Sequence, residues 1–315
     1  MELAWLLFQK VVVMLIFLAA GVISYKCKLI TDIGNKSITN VVMYVFTPMM
    51  ILVSFCQDFS MKLLKGLFIT LGISFLGFVA VIALACLLIR KKGITGKEDP
   101  DYIIERFSAI YTNCGFMGIP LADALFGAEG VFYITAFHSA FMILVWTHGV
   151  YMITGDKKEI SIKKVLLNPS IIATFLGMIL FAVRFEYPSV VMSAMVSMKD
   201  TVAPLAMIIA GVSISQSNLL KAIKNVRLYR TCAVRLVIIP LVLVFLLTWI
   251  FRFLGVSETA LLTTILAFSC PTATMGTMMS IRFGKNAEAA SQLFALTTVL
   301  SVITMPLMIY IQSLI

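Results

Sequence analysis

Between about Tyr102 and Phe126 the chain stays apolar for long enough to cross a bilayer, yet its middle reads Asn113-Cys114-Gly115-Phe116-Met117-Gly118-Ile119-Pro120. A helix in lipid satisfies its backbone only within itself, so an amide, two glycines and a proline at that depth need a reason. Glycine lets a backbone or a ligand approach closely, and Pro120 lacks a donor and frees a carbonyl one turn earlier. A second apolar run is interrupted far downstream by Ser269-Cys270-Pro271-Thr272-Ala273-Thr274-Met275-Gly276. Paired breaks in the two halves of a chain are the sequence pointer to a transporter's substrate site.

Composition fixes the solvent. Hydrophobic residues make up 61% of the 315 and charged residues 13%, with a mean hydropathy of +1.03. Soluble domains run near half apolar and a quarter charged, so this is an integral membrane chain with no room expected for a separate soluble domain. The apolar N-terminal run is followed by many others and reads as a first span, not a cleaved signal. A formal charge of +10 would suggest nucleic acid in a soluble protein. Here the basic residues lie in loops between apolar runs, where they orient the chain, and no nucleic-acid partner is expected. The six cysteines (Cys27, Cys56, Cys86, Cys114, Cys232, Cys270) show no CxxC spacing and mostly lie in apolar segments. They read as small hydrophobes, with neither disulfide nor metal site expected.

Against the roughly 20 apolar residues a bilayer demands, ten spans are predicted. They cover about 4–25, 37–56, 63–89, 102–126, 131–153, 165–185, 201–215, 231–251, 259–281 and 287–314. Alternate loops then hold 19 of the 25 basic residues on one side, from Lys26 and Lys28 through Arg90, Lys92, Lys97 and Lys157 to Arg282 and Lys285. By the positive-inside rule that side is cytoplasmic and both termini face outward. Phe126-Gly127 and Phe283-Gly284 lie 157 residues apart, and Pro48 and Pro204 lie 156 apart, each close to half the chain. Five spans per half make the halves enter from opposite sides, an inverted repeat of 1–153 and 165–315 joined by a cytoplasmic linker at 154–164.

Asn113 is the sharpest candidate for chemistry, because its amide can grip a carboxylate without a fixed buried charge. The half-helices on either side are expected to aim positive N-termini at the break. The alternative is an interhelical hydrogen bond that only holds the bundle together. Cys114, Gly115, Gly118 and Pro120 shape the first break, and Cys270 and Pro271 the second. Thr272 and Thr274 offer hydroxyls there, or back-bond to the preceding turn. His138 lies deep in the fifth span and is the preferred substrate or proton-coupling contact, whereas His148 and Asp123 lie near span ends. Lys10 and Arg235 are expected to snorkel to the outer and cytoplasmic interfaces, with a buried anion contact the alternative for Arg235. No Ser-His-Asp set, P-loop or metal cluster is present, so neither enzyme nor cofactor is expected.

With these residues in place, the chain resembles the auxin efflux carrier family, which includes plant auxin exporters and bacterial carriers of organic acids. Asn113 to Leu121 with Ala124-Leu125-Phe126-Gly127 resembles its fourth-helix signature. Cys270-Pro271-Thr272-Ala273 with Phe283-Gly284 resembles the ninth-helix counterpart. Ala203-Pro204-Leu205-Ala206 with Gly211, and Thr304-Met305-Pro306-Leu307, match its seventh-helix and closing patterns. The resemblance implies an all-α fold of ten transmembrane helices in two inverted five-helix repeats. Helices 1, 2, 6 and 7 would be a scaffold, and helices 3–5 and 8–10 a transport domain with broken helices 4 and 9 crossing beside the substrate. It also implies an elevator-like movement and a homodimer through the scaffold. Where the plant exporters carry proline before the asparagine, this chain has Thr112, and their long cytoplasmic loop is missing. The expected function is secondary transport of small mono- or dicarboxylates across the cell membrane, with possible proton coupling. A passive channel, a membrane sensor, or a carrier of an auxin-like or neutral solute are the rivals.

Overall fold

Helix is the regular structure that a chain of this composition can form in lipid, and it is what the computed structural model contains. The model describes residues 2–91, 100–217 and 219–315; Lys92 and Lys97, used above for orientation, lie outside them. Among the described residues there is no strand, only one isolated bridge. Apart from short helical pieces at Ile162–Leu166 and Leu219–Lys224, the helices are α1 (Glu2–Lys26), α2 (Asp32–Ser54), α3 (Met61–Leu88), α4 (Tyr102–Ile110), α5 (Cys114–Thr154), α6 (Pro169–Ala182), α7 (Ser189–Gln216), α8 (Val226–Leu254), α9 (Glu258–Ser269), α10 (Met275–Arg282) and α11 (Ala287–Gln312). Seven of them are long and apolar enough to cross a membrane, and an eighth is if α6 is joined to Lys157–Leu166, from which it bends by 43°.

Three local decisions position the site. The run from Cys114 to Thr154 is 41 residues, about twice what one crossing needs, and it turns at Gly127, where φ is 60° and ψ is −146°. A side chain rarely adopts that backbone, so glycine is required at this corner. The second decision is at α7, which begins twelve residues before the predicted start at 201. Its first twelve residues mix seven apolar side chains with three serines, Lys199 and Asp200, and Ser193, Ser197 and Thr201 each donate to the carbonyl four residues earlier. Lys199 and Asp200 interrupt the apolar run, so a hydropathy reading starts this span late and misses about three turns of the helix. The third decision is that the predicted fourth and ninth spans are each split, at 111–113 and 270–274.

The surface is inverted relative to a soluble protein. Ile16, Val79, Phe245, Trp249 and Ile303 are all more than half exposed along the helix flanks. Only hydrocarbon makes such a surface inexpensive. Inside, Phe78, Phe137 and Phe268 pack together around the first break, with ring centroids 4.6–5.2 Å apart.

The closest backbone approach joins α1 to α7. A Cβ on Gly211 would land on the Leu18 carbonyl, and one on Gly21 would land on the Ile208 carbonyl. Small residues let membrane helices pack this tightly. Because the obstacle is backbone, Gly211→Val is expected to destabilise the fold by about 3 kcal/mol, read as a lower denaturation midpoint in detergent. Gly72→Ala in α3 is the control: nothing lies within 4 Å of its Cβ, so the midpoint stays or rises slightly.

Candidate functional site

Both breaks follow short half-helices, and they meet each other. Thr112 and Thr272 form an antiparallel bridge. The Asn113 amide donates to the Pro271 carbonyl at 2.8 Å, and the Ala273 amide donates to the Tyr111 carbonyl at 2.9 Å. Each break thus satisfies the backbone groups the other leaves open. The side chains repeat this reciprocity. Thr112 Oγ1 donates to the Ala267 carbonyl in α9, and Thr272 Oγ1 donates to the Ser108 carbonyl in α4, each at 2.7 Å. Thr297 Oγ1 in α11 accepts the Thr272 amide at 3.2 Å. Thr112 supplies neither of the two bridge hydrogen bonds from its backbone, so a residue without a backbone donor at that place would be compatible with the same bridge.

Arg235 in α8 is wholly buried, which corrects the expectation that it snorkels to the cytoplasmic interface. Its Nη2 donates to the carbonyls of Phe268 and Cys270 at 2.7 Å each. Its Nε reaches the Cys270 carbonyl at 3.1 Å, and its Nη1 the Ala109 carbonyl at 3.2 Å. These carbonyls end α9 and α4, where the last turns of a helix have no partners of their own. The planar fork of arginine suits it to bind several at once.

Asn113 stands at the first break, 3% exposed, and its Nδ2 donates to no protein group. That is uncommon, since buried side-chain donors are nearly always satisfied. Five of the other predicted residues pack against one another at the breaks. His138 Nδ1 lies 3.5 Å from Cys114 Sγ. A Cβ on Gly115 would stand 3.3 Å from His138 Cε1, and one on Gly118 would stand 3.3 Å from Cys270 Sγ. Pro120 is buried in the first turns beyond the break, just after a widened π-helical turn at Cys114–Gly118. Pro271 holds Asn113 through its carbonyl. Thr272 is different from expectation: its hydroxyl is committed to the Ser108 carbonyl, so it fastens the two breaks together. Thr274 is half-buried at the start of α10 and does not cap that helix.

Two further expectations are refined. Only α5 and α10 aim N-termini at the breaks, while α4 and α9 present their C-termini. Asp123 forms an ion pair with Lys199 of α7 at 3.0 Å, both about one-fifth exposed. His148 accepts from or donates to the Tyr111 hydroxyl, 2.8 Å from its Nδ1, one residue before the bridge.

Thr112, Asn113 and Thr272 are buried, and Gly115, Phe116 and Thr274 half-buried. Two clefts lie elsewhere: one of about 150 Å³ is lined by Asp101, Glu105 and Arg227, and one of about 340 Å³ by Lys62, Lys65, Tyr133 and Ser257. Neither includes a residue of the breaks.

Comparison with known proteins gives two findings. A family model described as a membrane transport protein matches residues 6–309. An uncharacterized transporter of Methanothermobacter thermautotrophicus is 23% identical over 203 residues, covering 64% of this chain and 65% of that relative's length.

Proposed function

This chain belongs to the membrane transport protein family, that of the auxin efflux carriers, and from that premise we propose that it is a secondary carrier of small organic anions. The observation that carries the substrate class is the Asn113 Nδ2, a buried donor with no protein acceptor beside the positive ends of α5 and α10. Donors prepared in a dry site favour a carboxylate, which accepts at both oxygens. Mono- or dicarboxylates of the malonate or malate kind suit a site of this chemistry, with His138 beside it as the candidate proton-coupling group.

Ten spans follow if α4 with α5 up to Gly127 is the fourth, the rest of α5 the fifth, and α9 with α10 the ninth. The halves 1–153 and 165–315 are then the inverted repeat, with both termini outside the cell membrane. In the packing, α1 and α2 lie on α7, and α2 on α6, while α3, α9 and α5 pack on one another and α8 on α9 and α11; α11 joins the two sets through α1 and α7, and α5 touches α2. An elevator-like movement of helices 3–5 and 8–10 past the scaffold would open the buried Asn113 to each side in turn. Burial of Asn113 favours such a carrier over an open pore.

Counterflow in proteoliposomes tests the reading. Vesicles preloaded with unlabelled malonate are expected to accumulate labelled malonate or malate transiently, as a reorienting carrier does. Downhill flux without overshoot would favour a channel, and no accumulation of any carboxylate by folded protein would remove the organic-anion assignment. Running the assay at two pH values reads proton participation.

A further inference from the structure

Four helix ends converge on the paired breaks: the C-termini of α4 and α9 and the N-termini of α5 and α10. A helix end carries about half an elementary charge, negative at the C-terminus and positive at the N-terminus. Two of each nearly cancel, so a junction of two broken helices has by itself no preference for the sign of what it holds. Arg235 removes that balance. Its donors go to the carbonyls of Ala109, Phe268 and Cys270, which belong to the two negative ends. Among the described residues no carboxylate lies within ion-pair distance of it. The acid on α4, Glu105, is held instead by Arg227 at 2.7 Å and by Arg230. One whole buried charge is therefore set against two half charges of opposite sign, and the positive ends of α5 and α10 stand unopposed.

We propose that Arg235 is a specificity-determining residue: it gives the junction at Asn113 its net positive sign and so makes the site select an anion over an uncharged isostere. It acts through the field, since its donors are spent on carbonyls. The proposal rests on the carrier reading only for the identity of the anion, and its test needs no substrate. A reporter thiol, Thr274→Cys, is placed at the N-terminal end of α10. It is reacted with sulfonatoethyl (anionic) and trimethylammonioethyl (cationic) methanethiosulfonate, and its labelling is followed by peptide mass spectrometry. Rates are normalised to a free thiol in solution.

With Arg235 present, the anionic reagent is expected to be favoured about ten-fold or more, as a single charge at short range in a poorly screened site gives. Arg235→Gln should lower that preference at least about ten-fold, and Arg235→Lys should keep it within about three-fold. A preference near unity with Arg235 in place overturns the proposal without any substitution of the arginine, so a Gln variant that fails to fold does not protect it. An unchanged preference in folded Arg235→Gln, or its collapse in Arg235→Lys, also overturns it. The two readings fail separately. Missing counterflow with an intact charge preference removes the carrier assignment, whereas robust counterflow with no charge preference removes the role of Arg235.

Discussion

Asn113→Ala is expected to weaken the apparent affinity for malonate in counterflow about thirty-fold while leaving the protein as stable as before, or more so. A hydrogen bond to a charged acceptor contributes about 2 kcal/mol, which is that factor in affinity. The stability half of the prediction separates function from packing. Were Asn113 a bundle-fastening residue, its removal would cost stability, because a satisfied interhelical bond would be lost. Its Nδ2 has no protein acceptor, so the alanine variant sheds a buried, unsatisfied donor. Asn113→Asp should abolish anion counterflow outright, by setting a carboxylate where the substrate's carboxylate must lie. Parallel thermal scans and counterflow on the three proteins decide it: a large loss of stability in Asn113→Ala with unchanged affinity would return Asn113 to a structural role.

Arg235→Met should be the most damaging change to the fold's interior, lowering stability by roughly 4 kcal/mol. The aliphatic replacement fills much of the volume, but it leaves the carbonyls of Ala109, Phe268 and Cys270 facing a dry core. Each unsatisfied buried acceptor costs about 1–3 kcal/mol, and relief from desolvating the guanidinium offsets part of the sum. Arg235→Lys should fall between, since an ammonium has three donors on a flexible stem and lacks the fork that reaches two helix ends at once. Denaturation midpoints in mixed micelles, compared with Gly72→Ala as a neutral substitution, give the order. A Met variant as stable as the parent would mean that the half-helix ends find other partners.

Where each break lies was legible in the residues. Asn113-Cys114-Gly115 and Cys270-Pro271-Thr272 violate what lipid demands of a helix, and both are where the helices stop. That the two breaks lie together was implied by the family resemblance, but their register was not. That Thr112 and Thr272 each face the carbonyls of the other half-helix depends on an antiparallel bridge across 160 residues of separation, and no local pattern encodes it. Arg235 was misread for the same reason. An arginine near the polar end of an apolar run snorkels unless buried acceptors wait for it, and those acceptors come from α4 and α9. The clue was present as a lone arginine inside an apolar stretch, Val234-Arg235-Leu236, whose position in the membrane is a functional hypothesis by default. The first turns of α7 lie outside the predicted span because Lys199 and Asp200 interrupt its apolar run, whereas the helix continues through them.

The sequence by itself determined the solvent, the helical class and the places where helices must fail, because these follow from transfer free energies and backbone hydrogen bonding within a few residues. Only the tertiary structure decided which orphan groups at the two breaks satisfy one another, which donor is left over at Asn113, and where the charge of Arg235 is spent. Those are matters of pairing between segments far apart in the chain, and in a medium without water a pairing left unmade is costly enough to choose the fold.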